Sequence, residues 1–159
     1  MTTNVTILNG PNLNLLGVRE PQIYGTTTLA EIENSCRQAA EVFGVAIEFQ
    51  QSNHEGVLVD LIQSARDKAD ALIINPAGFS FTSIAMYDAI KAFDGPYIEV
   101  HVSNIHARDE LHRHSLLSRA ATAVICGLGA YGYIVALQAA IQRLGQLPGS
   151  LPEPLRTRL

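Results

Sequence analysis

The sequence predicts a doubly wound α/β domain: a five-stranded parallel sheet in the order 2-1-3-4-5, with helices on both faces. Three observations lead there. Short β-branched or apolar runs alternate with segments of helical apolar spacing from residue 5 to residue 144. Residues 71–74, Ala-Leu-Ile-Ile, are apolar without interruption, as a strand covered on both faces requires. Polar residues gather where the strands stop, the end at which such sheets bind ligands.

The elements follow in order. Residues 5–8 form a first strand, stopped by Asn9-Gly10-Pro11-Asn12. Residues 13–27 show neither helical nor strand period and read as a long loop of the kind that closes over a site. Thr28-Leu29-Ala30-Glu31 is a capping box opening a helix whose apolar face runs from Leu29 through Ile32, Cys36 and Ala40 to Phe43, with Gly44 as its C-cap. Residues 45–50 alternate as a second strand. Ser52-Asn53-His54-Glu55 reads as a second capping box, before a helix carrying Leu58, Ile62, Ala65 and Ala69. After the strand at 71–74, Thr82 or Ser83 caps a helix that Gly95-Pro96 ends. Residues 97–101 and 121–125 supply the last two strands, and Tyr133, Leu137, Ala140 and Ile141 trace the last helix. The expected organisation is a single domain over residues 1–146 and an irregular, proline-containing tail over 147–159.

Composition narrows the function classes. The 159 residues are 47% hydrophobic and 16% charged, with a net charge of −4 and no basic stripe, which argues against nucleic acid as a partner. No apolar run approaches a membrane span, and the N-terminus lacks the pattern of a signal peptide, so a cytoplasmic protein without a membrane partner is expected. Cys36 and Cys126 lie far apart in apolar settings and are read as reduced core cysteines.

Residues 99–114 hold four of the five histidines. Glu99 and His101 are two apart on a strand and share a face. A carboxylate beside an imidazole fixes its tautomer and favours the protonated ring, which is how a general acid is built. The spacing of His101, His106, His112 and His114 fits no tetrahedral metal pattern, so no metal is expected. Gly127-Leu128-Gly129-Ala130-Tyr131-Gly132 has the spacing of a dinucleotide fingerprint but sits at the end of the chain, where tight packing of the last helix explains it better.

The convergent groups are Tyr24, Arg19, Arg108 and Arg113, the Glu99–His101 pair, Asn12 and Asn75. That set suits proton abstraction beside a carbonyl followed by loss of a leaving group, with no cofactor. Tyrosine is a weak base at neutral pH, and adjacent guanidinium charge favours its phenolate. Asn12 would stabilise an enolate, and His101 would protonate a departing hydroxyl.

Those residues carry a family resemblance. Leu8-Asn9-Gly10-Pro11-Asn12-Leu13-Asn14-Leu15-Leu16-Gly17-Val18-Arg19-Glu20-Pro21-Gln22-Ile23-Tyr24-Gly25 closely resembles the opening signature of type II 3-dehydroquinate dehydratases. Gln51-Ser52-Asn53-His54-Glu55-Gly56, the run from Glu99 to Arg108, and Gly127-Leu128-Gly129 through Gly132-Tyr133 resemble the same family in the same order. The resemblance implies a flavodoxin-like fold and a homo-dodecamer, a tetramer of trimers. It implies anti elimination of water from 3-dehydroquinate to 3-dehydroshikimate through an enolate, without metal or cofactor, in a biosynthetic or a catabolic pathway. It assigns Tyr24 as base, Arg19 and Arg108 as the charges that favour its phenolate, and Asn12 as holder of the enolate-stabilising water. His101 is the acid oriented by Glu99. Asn75 contacts the substrate, the Val102 and Ser103 amides hold its carboxylate, and Asp88 reaches a neighbouring subunit's site.

Two positions depart from the family pattern. Phe81 stands where the family has a substrate-contacting histidine, and His112 where it has a second substrate arginine, with Arg113 next to it. Both changes fall on recognition of ring hydroxyls. A dehydroquinate dehydratase with altered contacts, and a paralogue acting on a related cyclic β-hydroxy ketone acid, both fit. A non-catalytic binding homologue is a third reading, against which the intact Tyr24, Arg19, Arg108 and Glu99–His101 set argues.

Overall fold

The computed structural model describes residues 1–146, so the expected tail at 147–159 lies outside the described residues. Five strands, β1 (Asn4–Asn9), β2 (Ala46–Gln51), β3 (Ala71–Asn75), β4 (Tyr97–His101) and β5 (Ala123–Cys126), form one parallel sheet. Its order is β2-β1-β3-β4-β5, as the sequence predicts. The register sets Asn9 beside both Gln51 and Asn75, and His101 beside Cys126. The carboxyl ends of the strands therefore finish level, and a ligand can touch several at once.

Side chains alternate across each strand, so the inner strands β1, β3 and β4 feed two cores. Val5 and Ile7 of β1 pack with Ile73, Ile98 and Val100 beneath helices α2 (Leu29–Phe43) and α5 (Tyr131–Arg143). Leu8, Leu72, Ile74 and Tyr97 face α3 (Glu55–Ala65) and α4 (Ile84–Lys91) on the other side. Each such aliphatic side chain, fully buried, contributes about 1.5–3 kcal/mol. The edge strand β2 alternates exposed and half-buried residues, as its sequence does.

Local signals are mostly met. The Thr28 hydroxyl accepts from the Glu31 amide, Glu31 binds back to the Thr28 amide, and Gly44 closes α2 in the left-handed conformation. Ser83, rather than Thr82, caps α4 by accepting from the Met86 amide. Gly132 packs tightly, since a Cβ there would stand 3.3 Å from Val100 Cγ2.

Other expectations need correcting. The second capping box does not form. His54 is the N-cap of α3 without a side-chain bond, and Ser52 Oγ accepts from the His54 amide instead. Glu55 is drawn away because the Ser83 hydroxyl donates to its carboxylate at 2.5 Å. Residues 13–27 are not all loop: a 3-10 turn covers Leu13–Leu15 and a one-turn helix, α1, covers Pro21–Tyr24. Elements of three or four residues are too short to repeat an apolar spacing, so no period marks them. Cys36 is buried, and burial pushes its thiol up to about 12. Cys126 is only half-buried, at the end of β5, and is no core residue.

Gly10 follows β1 where the chain turns into the site. A Cβ at this position would lie 2.2 Å from the Pro76 carbonyl oxygen, and the Gly10 amide donates to Asn75 O at 2.8 Å. Backbone on backbone has no flexible end to yield. Gly10→Ala is expected to lower stability by about 1–3 kcal/mol in urea unfolding. Gly56, in α3 with nothing near its Cβ direction, is the control: Gly56→Ala is expected to raise stability by about 0.5–1 kcal/mol.

Candidate active site

The cleft opens beyond the carboxyl ends of β1, β3 and β4, where the strand order reverses direction. Its cavity is about 170 Å³. The segment after β1 supplies Asn12, Arg19 and Tyr24 to its wall, and β3 supplies Asn75. The end of β4 and the loop after it supply His101, Val102, Ser103, Arg108 and His112.

Tyr24 lies between two guanidinium groups. Arg108 Nη1 donates to its hydroxyl oxygen at 3.1 Å and to Ser103 Oγ at 3.2 Å. The Arg108 and Arg19 guanidinium carbons stand 5.4 and 5.7 Å from the ring centroid. Arg19 is also paired with Glu20 at 3.2 Å. One-turn α1 sets this arrangement: Glu20 enters it in the left-handed conformation, Pro21 begins it, and Tyr24 ends it facing the cleft. Arg108 thus touches the Tyr24 hydroxyl directly, while Arg19 stands over the ring.

His101 and Glu99 are both buried, at 4% and 0% exposure, and His101 Nε2 meets Glu99 Oε1 at 2.5 Å. Burial raises the Glu99 carboxyl. The hydrogen bond from His101, the His101 charge, and bonds from Ser115 and Ser118 together outweigh it and hold the carboxyl below its ordinary value. A carboxylate can only accept, so Nε2 carries the hydrogen of that bond.

Asn12 adopts the left-handed conformation, and its amide donates to Asn53 Oδ1 at 2.9 Å, which holds the turn over the cleft. Asn75 donates to Tyr133 Oη at 2.9 Å and accepts from the Ala77 amide. Tyr133 in turn donates to Asn9 Oδ1 at 2.7 Å. Asn9 thus belongs to the buried support of Asn75 and does not line the cleft.

The departing positions meet at one wall. The Phe81 ring contacts His112 edge to face, with centroids 5.5 Å apart at 83°. His112 Nδ1 binds both oxygens of Asp109 at 2.8 and 2.9 Å, and that bond is the main reason the Asp109 carboxyl is lowered. Arg113 does not line the cleft. It donates from Nε and Nη2 to the Arg108 carbonyl and faces a separate groove with His106 and His114. On the 3-10 turn Glu110–His112 successive residues diverge by about 120°, so His112 and Arg113 cannot both point inward. Asp88 is exposed on α4 and does not line the cleft of its own chain.

Sequence reasoning missed Asn53, Tyr133 and Asp109, which hold cleft residues from behind, and Ser115 and Ser118, which hold the buried Glu99. Only Asp109, three residues before His112, carried a local signal. The histidines do not gather: among the described residues no three potential ligands come together for a metal ion. Among those residues too, no helix is long and apolar enough to cross a membrane.

Comparison with known proteins gives the family of the chain. Residues 3–141 match the profile described as Dehydroquinase class II. The chain is 53% identical over 139 residues to "3-dehydroquinate dehydratase 1" of Agrobacterium fabrum, covering 87% of this chain and 96% of that one. It is 51% identical over 141 residues to "Catabolic 3-dehydroquinase 2" of Aspergillus flavus, covering 89% and 94%. Its fold superposes on the crystal structure of type II dehydroquinase from Butyrivibrio crossotus with a TM-score of 0.86 at 35% identity, over 87% of this chain and 97% of the other. With a family profile matching residues 3–141 and relatives at about half identity over most of their length, the chain belongs to the class II dehydroquinase family.

Proposed function

We propose that the protein is a hydro-lyase that eliminates water from 3-dehydroquinate to give 3-dehydroshikimate through an enolate. The observation that carries this reading is the Arg108 bridge: one guanidinium nitrogen binds both the Tyr24 oxygen and Ser103 Oγ, in the cleft that His101 also faces. A base and an acid therefore border one cavity. The names carried by relatives at about half identity support the same substrate and lend nothing to a paralogous or non-catalytic reading.

In this mechanism the Tyr24 phenolate takes the proton from the carbon beside the ketone. The C–H electron pair moves into the carbonyl, leaving the negative charge on the enolate oxygen, where a water held by Asn12 stabilises it. The enolate re-forms the ketone as the new double bond forms and the C–O bond breaks. The hydroxyl leaves with the His101 proton as water. Arg19 and Arg108 stabilise the phenolate, and Glu99 orients His101. The Val102 and Ser103 amides receive the substrate carboxylate, and Asn75 contacts the ring. The same reading carries a cytoplasmic dodecamer, a tetramer of trimers, in which Asp88 reaches the cleft of a neighbour. Phe81 and His112 leave one wall with an apolar ring and an imidazole, so ring hydroxyls there are bound more weakly.

Incubation with 3-dehydroquinate, followed by ultraviolet absorbance of the conjugated product, is the direct test; a folded but inactive protein rejects the reading. Tyr24→Phe is expected to lower kcat by roughly 100-fold or more with an unchanged circular dichroism spectrum. Phe81→His adds a hydrogen-bonding group to the apolar wall, and its KM for 3-dehydroquinate is expected to fall several-fold, at little change in kcat. Light scattering after size exclusion is expected to give twelve times the chain mass, and a monomer would remove the assembly and the part given to Asp88.

A further inference from the structure

The Glu99 carboxylate has no exposed surface, so its two oxygens depend on protein donors. His101 supplies one bond, to Oε1. The others come from a segment outside the proposed catalytic set. Ser115 Oγ donates to Oε1 at 2.6 Å, and Ser118 Oγ donates to Oε2 at 2.9 Å. Neither serine lines the cleft. Both line the separate groove that Arg113, Arg119, His106 and His114 border.

Their placement is set by the core. Ser118 lies on the 3-10 turn Leu117–Ala120, and Ser115 lies just before that turn begins. Between the two serines, Leu117 is fully buried in the core beneath α3 and α4, and the Leu116 amide donates to Ser80 O at 2.7 Å. The hydroxyls are thus carried on a fixed backbone.

Donors on both oxygens do two things to a carboxylate. They fix its plane, and with it the direction of the bond to the imidazole. They also favour its charged form, so the shared proton stays on the ring. Without them, the proton would be divided between His101 and Glu99. The other titratable group sensing Glu99 is Tyr97, on the same face of β4, whose buried hydroxyl is kept protonated by burial and by the Glu99 charge. The cations around the groove are exposed and screened by solvent.

We propose that Ser115 and Ser118 are positioning residues for the general acid, holding Glu99 ionised and oriented so that His101 delivers its proton to the leaving hydroxyl. The catalytic half of this inference rests on the dehydratase reading.

The test compares the wild-type protein with Ser115→Ala, Ser118→Ala, the double variant, and Ser118→Thr. The double variant is expected to lose roughly tenfold in kcat. KM is expected to stay unchanged, because the serines do not touch the cleft. Removing donors to a carboxylate raises its pKa, so the Glu99 titration is expected to move to higher pH. Ser118→Thr keeps the hydroxyl and is expected to recover most of the kcat lost in Ser118→Ala. Carbon-13 NMR of the Glu99 side-chain carboxyl gives a readout independent of turnover, and its titration is expected at higher pH in the alanine variants. An unchanged Glu99 titration and an unchanged kcat, with only the melting temperature lowered, would overturn the proposal. If the double variant does not fold, Ser118→Ala alone is read by the same criteria. A wild-type protein that does not turn over 3-dehydroquinate overturns the dehydratase reading and the serines' catalytic part with it, while the carboxyl titration still decides whether they hold Glu99.

Discussion

A carboxylate with no exposed surface sits in the fourth strand, and the loop between β4 and β5 is arranged around it. Burying Glu99 costs solvation, and the cost is offset by bonds from His101, Ser115 and Ser118. Taking one partner from such a pair typically costs about 3–5 kcal/mol, because the remaining charge is stranded. Since the folded carboxyl titrates below its ordinary value, this contribution is complete above the unfolded carboxyl's pKa. It is lost as the pH falls through the folded value. The turn that carries Ser118, with Ser115 just before it, is held by Leu117 in the core. Acid chemistry and core packing are thereby joined through two hydroxyls.

The cleft depends equally on sheet topology. With order β2-β1-β3-β4-β5, the chain leaves β1 on one side and β3 on the other, and a gap opens above their ends. The Asn75–Tyr133–Asn9 chain closes the floor of that gap with buried, satisfied polar groups. The short helix Pro21–Tyr24 then reaches over from the β1 side to meet Arg108 from the β4 side. Arg19, just before that helix, and Arg108 place two cationic groups at the cleft.

Phe81 and His112 form one wall of the cleft. They are partners of each other as well as of the cavity, through an edge-to-face contact, and Asp109 fixes the imidazole from behind. This wall is therefore held as a unit, apart from Tyr24 and His101.

Much of this protein was legible in one dimension. The alternation along β2, the Thr28–Glu31 cap and the shared face of Glu99 and His101 follow from spacing, because neighbours in sequence decide them, while the strand order was expected as the commonest for five parallel strands. The Ser52–Glu55 box failed for a physical reason: Glu55 has a competing partner, Ser83, 28 residues away, and no local pattern reveals a distant competitor. The choice between His112 and Arg113 likewise needed the real turn, whose tighter winding sends the arginine to the Arg108 carbonyl. Tyr24 and Arg108 are 84 residues apart, and Ser118 is 19 from Glu99. The sequence by itself supplied the chemical groups and the fold that carries them. Only the tertiary structure decided which groups touch, because a hydrogen bond depends on position to within a few tenths of an ångström and such positions are set by the packing of the whole core.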